Sequence, residues 1–223
     1  MTAGGVLFDL DGVLVESAHL HMQAYERVFS EAGLSFPVLA RDAVLRGKAR
    51  SFVIDLAIPS ASAELKQRLA EAKPSALEAV LESHGDCSMP GAIQAVRALG
   101  QAGVPLAVVT NSRAPRIWLR KMGISKQIDA IVEGDDVTLP KPSPEGYLLG
   151  AARLAVEPER CLAIEDSHDG WLAATSAGMR VAVLADEQPG WLKSGDDLMP
   201  RLDAATILHR LKRTEDPLAS GRR

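Results

Sequence analysis

The 223-residue sequence has little of several features that mark specialised classes of protein. It holds two cysteines, Cys87 and Cys161, which stand far apart and form no metal-binding or redox motif, so we expect two reduced thiols. No apolar run is long enough to span a bilayer, and no charged leader precedes a long apolar segment near residue 1. We therefore expect neither a disulfide-stabilised secreted protein nor a membrane protein, and we predict a cytoplasmic location.

The sequence also lacks an excess of positive charge. It has 25 Lys and Arg against 29 Asp and Glu, and no basic block interrupts the net charge of −4. This composition argues against nucleic acid or an anionic membrane as a partner. With 47% hydrophobic and 24% charged residues, the chain has the balance of a soluble globular protein, and its length suits one large domain or a core with a modest insert. We expect a monomer or a weak homodimer.

Hydrophobic periodicity changes character twice along the chain. A short apolar strand is predicted over residues 5–10, and helical periodicity then continues to residue 87. Within this helical stretch the first amphipathic helix ends at Gly33, and further helices are predicted over 38–45, 51–57 and 63–83. The last of them contains Pro74, which should kink it or divide it into two helices. Beyond Gly91, predicted strands over 105–110, 130–133, 161–164 and 181–184 alternate with predicted helices over 92–102, 115–122, 145–154, 170–177 and 204–211.

This alternation predicts an α/β fold with a doubly wound, parallel, Rossmann-like sheet. Because the helical stretch separates the first strand from the others, it predicts a small all-helical cap domain inserted after that strand, where it would cover the end of the strand. We expect an α/β core of residues 1–15 and 89–213, a helical cap of residues 16–88 and a flexible tail of residues 214–223.

Polar residues follow four of the predicted strands, at the edge where parallel α/β sheets bind ligands. In chain order they are Asp9 with Asp11, then Thr110-Asn111-Ser112, then Lys141 between two prolines, then Glu165-Asp166-Ser167. Two carboxylates at the end of a buried strand are costly unless a partner binds them. A divalent cation is a suitable partner, because hard cations prefer oxygen ligands.

These motifs, in this order, resemble those of the haloacid dehalogenase-like superfamily of phosphotransferases. The likeness spans nearly the whole chain and rests on Asp9-x-Asp11-Gly12-Val13, Thr110, Lys141-Pro142-x-Pro144 and Glu165-Asp166-Ser167. The first motif is the most specific, and Thr110 alone is a weak signal. The helical insert is similar to the type one cap of this superfamily, and the sequence most resembles the β-phosphoglucomutase and phosphoglycolate phosphatase branch.

The resemblance implies a catalytic role for residues at three strand ends. Asp9 would be the nucleophile and form an aspartyl-phosphate. Asp11 would protonate the leaving oxygen and then deprotonate the attacking water. Thr110 and the N–H of Asn111 would bind the phosphoryl oxygens, where Lys141 would add fixed positive charge.

The resemblance also implies a Mg²⁺ site. Asp9, the backbone carbonyl of Asp11, Glu165 and Asp166 would hold the ion. The carboxylate of Asp11 favours phosphate-ester chemistry within the superfamily, because the dehalogenases and phosphonate hydrolases lack it.

Substrate contacts are implied for the cap. Ser17, His21, Arg50 and Lys73 match a Thr or Ser, a His, a Gly-x-x-Arg segment and a Lys of β-phosphoglucomutase-like proteins. There the histidine contacts the general acid/base and the arginine binds the remote phosphate of the substrate.

Ser112 and Arg113, which follow Thr110 in the chain, could contact a second anionic group. Ala114 stands where the mutase pattern has an asparagine, and this departure counts against a mutase.

Each motif has a plainer explanation when it is taken alone. An Asp-x-Asp-Gly sequence can form a solvated turn, and Thr110 or Glu165-Asp166 can cap a helix. Lys141 and Lys73 could lie on a solvated surface. Four motifs in order favour catalysis over these explanations.

The sequence therefore predicts a Mg²⁺-dependent phosphatase that acts on small phosphorylated metabolites, notably sugar phosphates, through an aspartyl-phosphate. The alternative is a phosphomutase of the β-phosphoglucomutase type. A protein that binds a phosphorylated ligand without catalysis is a third, less favoured hypothesis.

Overall fold

The computed structural model describes residues 4–193 and 197–214. These residues form two compact units, one made of residues 16–87 and the other of the residues before and after that segment. The predicted tail, residues 214–223, lies outside the described residues except for Thr214. None of the described helices is long and apolar enough to cross a membrane.

The inserted unit contains four helices. They follow β1 (Gly5–Phe8) and are α1 (Ala18–Glu31), α2 (Val38–Leu45), α3 (Arg50–Ala57) and α4 (Ala63–Ser83). Helix α1 buries Leu20, Ala24 and Val28, which recur every four residues, and packs against α4. An all-helical unit inserted after the first strand is therefore confirmed.

The predicted alternative of two separate helices around Pro74 is wrong. Helix α4 runs unbroken for 21 residues with Pro74 inside it. A proline in a helix interior costs about 3 kcal/mol. The stripe formed by Leu69, Leu77 and Leu81 is buried in the same helix, and burying one leucine contributes roughly 1.5–3 kcal/mol. Packing of this stripe therefore outweighs the lost hydrogen bond.

The other unit is built on a six-stranded parallel sheet. After β1 its elements are α5 (Ala92–Gln101), β2 (Leu106–Val109), α6 (Pro115–Lys121), β3 (Ala130–Val132), α7 (Glu145–Leu154), β4 (Cys161–Glu165), α8 (His168–Ser176), β5 (Arg180–Leu184), β6 (Leu198–Met199) and α9 (Ala204–Thr214). The strand order is β3-β2-β1-β4-β5-β6, the order of a doubly wound Rossmann fold. The predicted α/β class is confirmed, and β6 is an addition that the sequence did not predict.

The central strands are apolar on both faces. Every residue of β1, β2 and β4 is buried, as expected for parallel strands covered by helices. Helices α7 and α8 contribute to one hydrophobic cluster with Leu7, Val109 and Ala163 of these strands. Helices α5 and α9 pack against each other and contact β2 and β4, respectively. Helices thus pack against the sheet, in which the ends of β2, β1 and β4 lie side by side.

Candidate active site

Adjacent strands bring three buried polar residues to one edge of the sheet. Asp9 follows β1 and donates its backbone N–H to Ile164 O at 2.9 Å, and Thr110 follows β2 and donates its own to Val132 O at 2.9 Å. Glu165 ends β4 and is fully buried. These backbone hydrogen bonds extend the ladders of the sheet, so the sheet itself fixes where the side chains start.

Lys141 joins the carboxylates of this edge. Its Nζ lies 2.5 Å from Asp9 Oδ1, 2.6 Å from Glu165 Oε1 and 2.9 Å from Val109 O. Only 8% of its side chain is exposed, so the alternative of a solvated surface lysine is wrong. The loop that carries it is tied to the end of β2 by the Lys141 N–H, which donates to Asn111 Oδ1 at 3.2 Å.

Three carboxylates face one another beside this lysine. Asp9, Glu165 and Asp166 each offer an oxygen within 4.8 Å of the others, and Asp166 is the most accessible of the three. Burial raises the pKa of Asp9 well above its usual range, although Lys141 opposes this. Burial, and then the charge of Glu165, raises the pKa of Asp166 to about 7. The three carboxylates carry more negative charge than Lys141 offsets, and they offer only oxygen ligands. Such a set of ligands fits a hard divalent cation such as Mg²⁺.

Lys141 remains charged in this surrounding. Burial alone would lower the pKa of its ammonium group, but the carboxylates of Asp9 and Glu165 raise it above its ordinary value. The site therefore holds a permanent positive charge at its centre.

The loop after β1 needs glycine at its turn. Gly12 has a φ of +88°, and a Cβ placed there would come 2.0 Å from Asp166 Oδ2. The Gly12 N–H donates to Val15 O at 2.8 Å and closes the turn. The glycine of the first motif thus allows Asp166 to approach the loop that carries Asp11.

Thr110 faces Asp11 and does not cap a helix. Its hydroxyl donates to Asp11 Oδ2 at 3.4 Å and accepts the Ser112 N–H at 3.0 Å. The following helix, α6, has Ala114 at its N-cap, and α8 is capped by Ser167, whose hydroxyl accepts the Gly170 N–H at 3.1 Å. The helix-cap explanations of Thr110 and of Glu165-Asp166 are therefore wrong.

The residues that follow Thr110 lie at the margin of the carboxylate group formed by Asp9, Glu165 and Asp166. Asn111 supports the lysine loop, and Ser112 Oγ accepts the Ala114 N–H at 3.5 Å. Arg113 Nε pairs with Asp135 Oδ1 at 3.0 Å, with 59% of its side chain exposed. The structure does not bring Arg113 into the carboxylate group.

Two of the four predicted cap residues, Arg50 and Lys73, place positive charge near Tyr25, and a third, His21, contacts Lys73. Lys73, only 6% exposed, hydrogen-bonds His21 Nδ1 and lies 5.3 Å from the centroid of the Tyr25 ring. Burial raises the pKa of Tyr25, the positive charge of Arg50 opposes this, and the resulting pKa is about 12. Arg50 Nη1 itself donates to Ala70 O at 2.9 Å. Lys73 does not lie on a solvated face, and the surrounding of Tyr25 is cationic.

Ser17 lies at the start of this helical group. The residue is buried, and its backbone carbonyl accepts the His21 N–H at 2.8 Å. This hydrogen bond closes the first turn of α1.

Sequence reasoning missed Tyr147, which lies inside the site. Its hydroxyl donates to Glu165 Oε1 at 2.6 Å, and Lys141 Nζ lies 5.0 Å from the centroid of its ring. Burial and the charge of Glu165 raise the pKa of Tyr147 well above its usual range, so its hydroxyl stays protonated. The available signal was its position six residues beyond Lys141, but an aromatic residue on a helix ordinarily indicates packing.

Comparison with known proteins agrees with this geometry. The family model for haloacid dehalogenase-like hydrolases matches residues 4–178. Validoxylamine A 7'-phosphate phosphatase of Streptomyces hygroscopicus subsp. limoneus is 33% identical over 181 residues, which cover 78% of this chain and 81% of that protein. β-Phosphoglucomutase of Bacillus subtilis (strain 168) is 30% identical over 218 residues, which cover 92% of each chain.

Among solved structures, CbbY from Rhodobacter sphaeroides in complex with phosphate superimposes with a TM-score of 0.78 at 27% identity. The match covers 90% of this chain and 95% of that one. The family match spans most of the sequence, including all four strand-end motifs. The chain therefore belongs to the haloacid dehalogenase-like hydrolase family, as its motifs predicted.

Proposed function

We propose that this protein is a Mg²⁺-dependent phosphatase of small phosphorylated metabolites, of the sugar-phosphate class, and that it acts through an aspartyl-phosphate on Asp9. The observation that carries the proposal is the contact of the buried Asp9 carboxylate with Lys141, beside Glu165 and Asp166. The likeness to validoxylamine A 7'-phosphate phosphatase supports a phosphatase, and the likeness to β-phosphoglucomutase supports a sugar phosphate as the substrate class.

Asp9 is suited to attack phosphorus. The Lys141 ammonium group donates a hydrogen bond to Asp9 Oδ1 and so fixes the orientation of the carboxylate. We assign the attack on phosphorus to Asp9 Oδ2. The bond from Oδ2 to phosphorus forms as the bond from phosphorus to the ester oxygen breaks. Lys141 adds positive charge where negative charge accumulates in the transition state.

Asp11 is suited to move protons. The hydroxyl of Thr110 orients its carboxyl group from the neighbouring strand end. Asp11 gives a proton to the departing ester oxygen, which leaves as an alcohol. It then takes a proton from the water that attacks phosphorus, so that inorganic phosphate is released and the Asp9 carboxylate is restored.

Asp9, the carbonyl of Asp11, Glu165 and Asp166 would hold Mg²⁺. When bound, the ion supplies positive charge that offsets these carboxylates and the phosphate of the substrate. Three donors already reach Glu165, from Lys141, Tyr147 and Ser167. Since a carboxylate offers about four acceptor positions, one remains for the ion or for its shell.

Substrate recognition beyond the phosphoryl group is assigned to Ser17, His21, Arg50 and Lys73. The hydrogen bond between Lys73 and His21, and the positive charges of Lys73 and Arg50 near Tyr25, support this assignment.

A phosphomutase is the second candidate, since β-phosphoglucomutase of Bacillus subtilis (strain 168) is nearly as similar as the phosphatase. Ala114 opposes it. Conversion of β-glucose 1-phosphate, primed by the bisphosphate, separates the two: isomerised sugar phosphate without free phosphate would establish the mutase, and release of phosphate alone would exclude it.

The deciding test is Asp9→Asn, assayed with Mg²⁺ on a panel of phosphorylated metabolites. We expect wild-type protein to release phosphate and the variant to lose at least about 10³-fold in kcat, since the amide is not a nucleophile. Asp42→Asn removes an exposed carboxylate from a surface ion pair and serves as the control. Full activity in folded Asp9→Asn would contradict the mechanism.

A further inference from the structure

Every proton of the Lys141 ammonium group is already engaged. A lysine carries three N–H donors. The Nζ atom of Lys141 has three acceptors within 2.9 Å: Asp9 Oδ1, Glu165 Oε1 and Val109 O. Lys141 can therefore donate to a phosphoryl oxygen only by giving up one of these hydrogen bonds.

Glu165 is the acceptor best prepared for that loss. Besides Lys141, its Oε1 accepts from the Tyr147 hydroxyl at 2.6 Å, and its Oε2 accepts from Ser167 Oγ at 3.1 Å. A fully buried carboxylate without donors would be strongly unfavourable. With Tyr147 in place, Glu165 keeps a donor on the same oxygen when the lysine turns away.

The Glu165 carboxylate is confined on the side of α8. A Cβ at Gly170 would come 1.9 Å from Glu165 Oε1 and 2.1 Å from Oε2, so α8 lies directly against the carboxylate. Tyr147 is equally confined, since it is fully buried on α7 and this helix packs against β1, β2 and β3. The lysine is the long, rotatable member of the three.

We propose that Tyr147 is a positioning residue: its hydroxyl holds Glu165 while Lys141 transfers one N–H from Glu165 Oε1 to a phosphoryl oxygen of the substrate. The inference rests on the proposed function. No covalent bond changes in this exchange. The Tyr147 hydroxyl lies 3.4 Å from Lys141 Nζ, so both donors reach Glu165 Oε1 from the same side of the site.

The test is Tyr147→Phe, which keeps the buried ring and removes only the hydroxyl. In this variant Glu165 depends on Lys141 for its donor at Oε1, so Lys141 is retained there. We expect kcat/KM to fall about tenfold and the Kd of inorganic phosphate, measured by calorimetry with saturating Mg²⁺, to rise by a similar factor. The Kd of Mg²⁺ alone should change less than twofold. Leu148→Ala, an exposed position next along α7, is the control and should match wild type.

The outcomes separate this role from a structural one. A disturbance of the whole carboxylate group would raise the Kd of Mg²⁺ together with that of phosphate, and this result would overturn the proposal. A phosphate Kd within twofold of wild type would also overturn it. The phosphate measurement does not depend on turnover. If wild-type protein hydrolysed nothing on the panel, the proposed function would fail, whereas a selective loss of phosphate affinity in Tyr147→Phe would still support the exchange.

Discussion

The two units each bury a lysine, and the two lysines have different surroundings. Lys141 of the α/β unit lies against the carboxylates of Asp9 and Glu165. Lys73 of the helical unit lies against the His21 imidazole and over the Tyr25 ring. Removing one partner of a buried ion pair typically costs about 3–5 kcal/mol, whereas contact of a cation with an aromatic ring is worth about 0.5–2 kcal/mol. The same side chain therefore lies between carboxylates in one unit and against an imidazole and an aromatic ring in the other.

The first prediction removes the lysine of the α/β unit. Lys141→Met leaves two buried carboxylates without their cation, and breaking such a pair typically costs about 3–5 kcal/mol. We expect a loss of that size in the free energy of unfolding at pH 7, measured by urea denaturation without metal. We also expect kcat to fall about 10²–10³-fold, because the charge at the phosphoryl group is gone.

The pH dependence of Lys141→Met gives a second check. A carboxyl group whose pKa is raised in the folded state, as burial does for Asp9, opposes folding above its unfolded pKa. That penalty is relieved as pH falls and the group is protonated. The deficit of the variant should therefore be largest at neutral pH and shrink as pH falls toward about 4. A deficit that is independent of pH would mean that Lys141 contributes packing and not charge.

The sequence predicts those parts of the fold that depend on a local pattern, and it does not predict those that depend on packing between distant segments. Strands such as Leu106–Val109 are apolar throughout and are bounded by turn residues, so their place in a parallel sheet was predictable. The unbroken course of α4 was not, because the burial that outweighs Pro74 depends on packing against α1. Strand β6 has two residues, too few for a recognisable pattern.

The candidate site shows the same limit. Asp9 and Glu165 were identifiable because charged residues at the ends of apolar strands are costly without a purpose. Lys141, in the loop after β3, was identifiable through the resemblance to the haloacid dehalogenase-like superfamily. Tyr147 was not identifiable, since the sequence does not show that its hydroxyl donates to Glu165 from α7. Nor could the sequence show that Arg113 pairs with Asp135 at the surface. In each case the missing information was a partner distant in the chain or a degree of exposure.

The second prediction tests how rigid the carboxylate group of the α/β unit is. In Gly170→Ala the added Cβ would overlap Glu165, so the carboxylate or α8 must shift. We expect kcat/KM to fall about tenfold or more and the free energy of unfolding to fall by about 1–3 kcal/mol, as in overpacked cores. Ser176→Ala, an exposed position of the same helix, is the control. Unchanged activity in Gly170→Ala would mean that Glu165 tolerates displacement and that its position is not critical.

The third prediction removes the lysine of the helical unit and carries the smallest effect. In Lys73→Met the flexible apolar chain stays against the Tyr25 ring, and a thioether also packs well on aromatic faces. We expect the free energy of unfolding to change by less than about 1 kcal/mol, in contrast to Lys141→Met. If Lys73 recognises the substrate, KM should rise by about tenfold, equivalent to roughly 1.4 kcal/mol, while kcat changes little.

Lys66→Met is the matched control for that effect, because it removes the same charge from the same helix at an ion pair with Asp55. A KM shift in both variants would indicate a general effect of net charge on an anionic substrate, which is screened by salt. A shift in Lys73→Met alone, retained at higher ionic strength, would indicate a direct contact. If Lys73→Met instead destabilised the protein as strongly as Lys141→Met, the two lysines would share one structural role, and the contrast between the units would be lost.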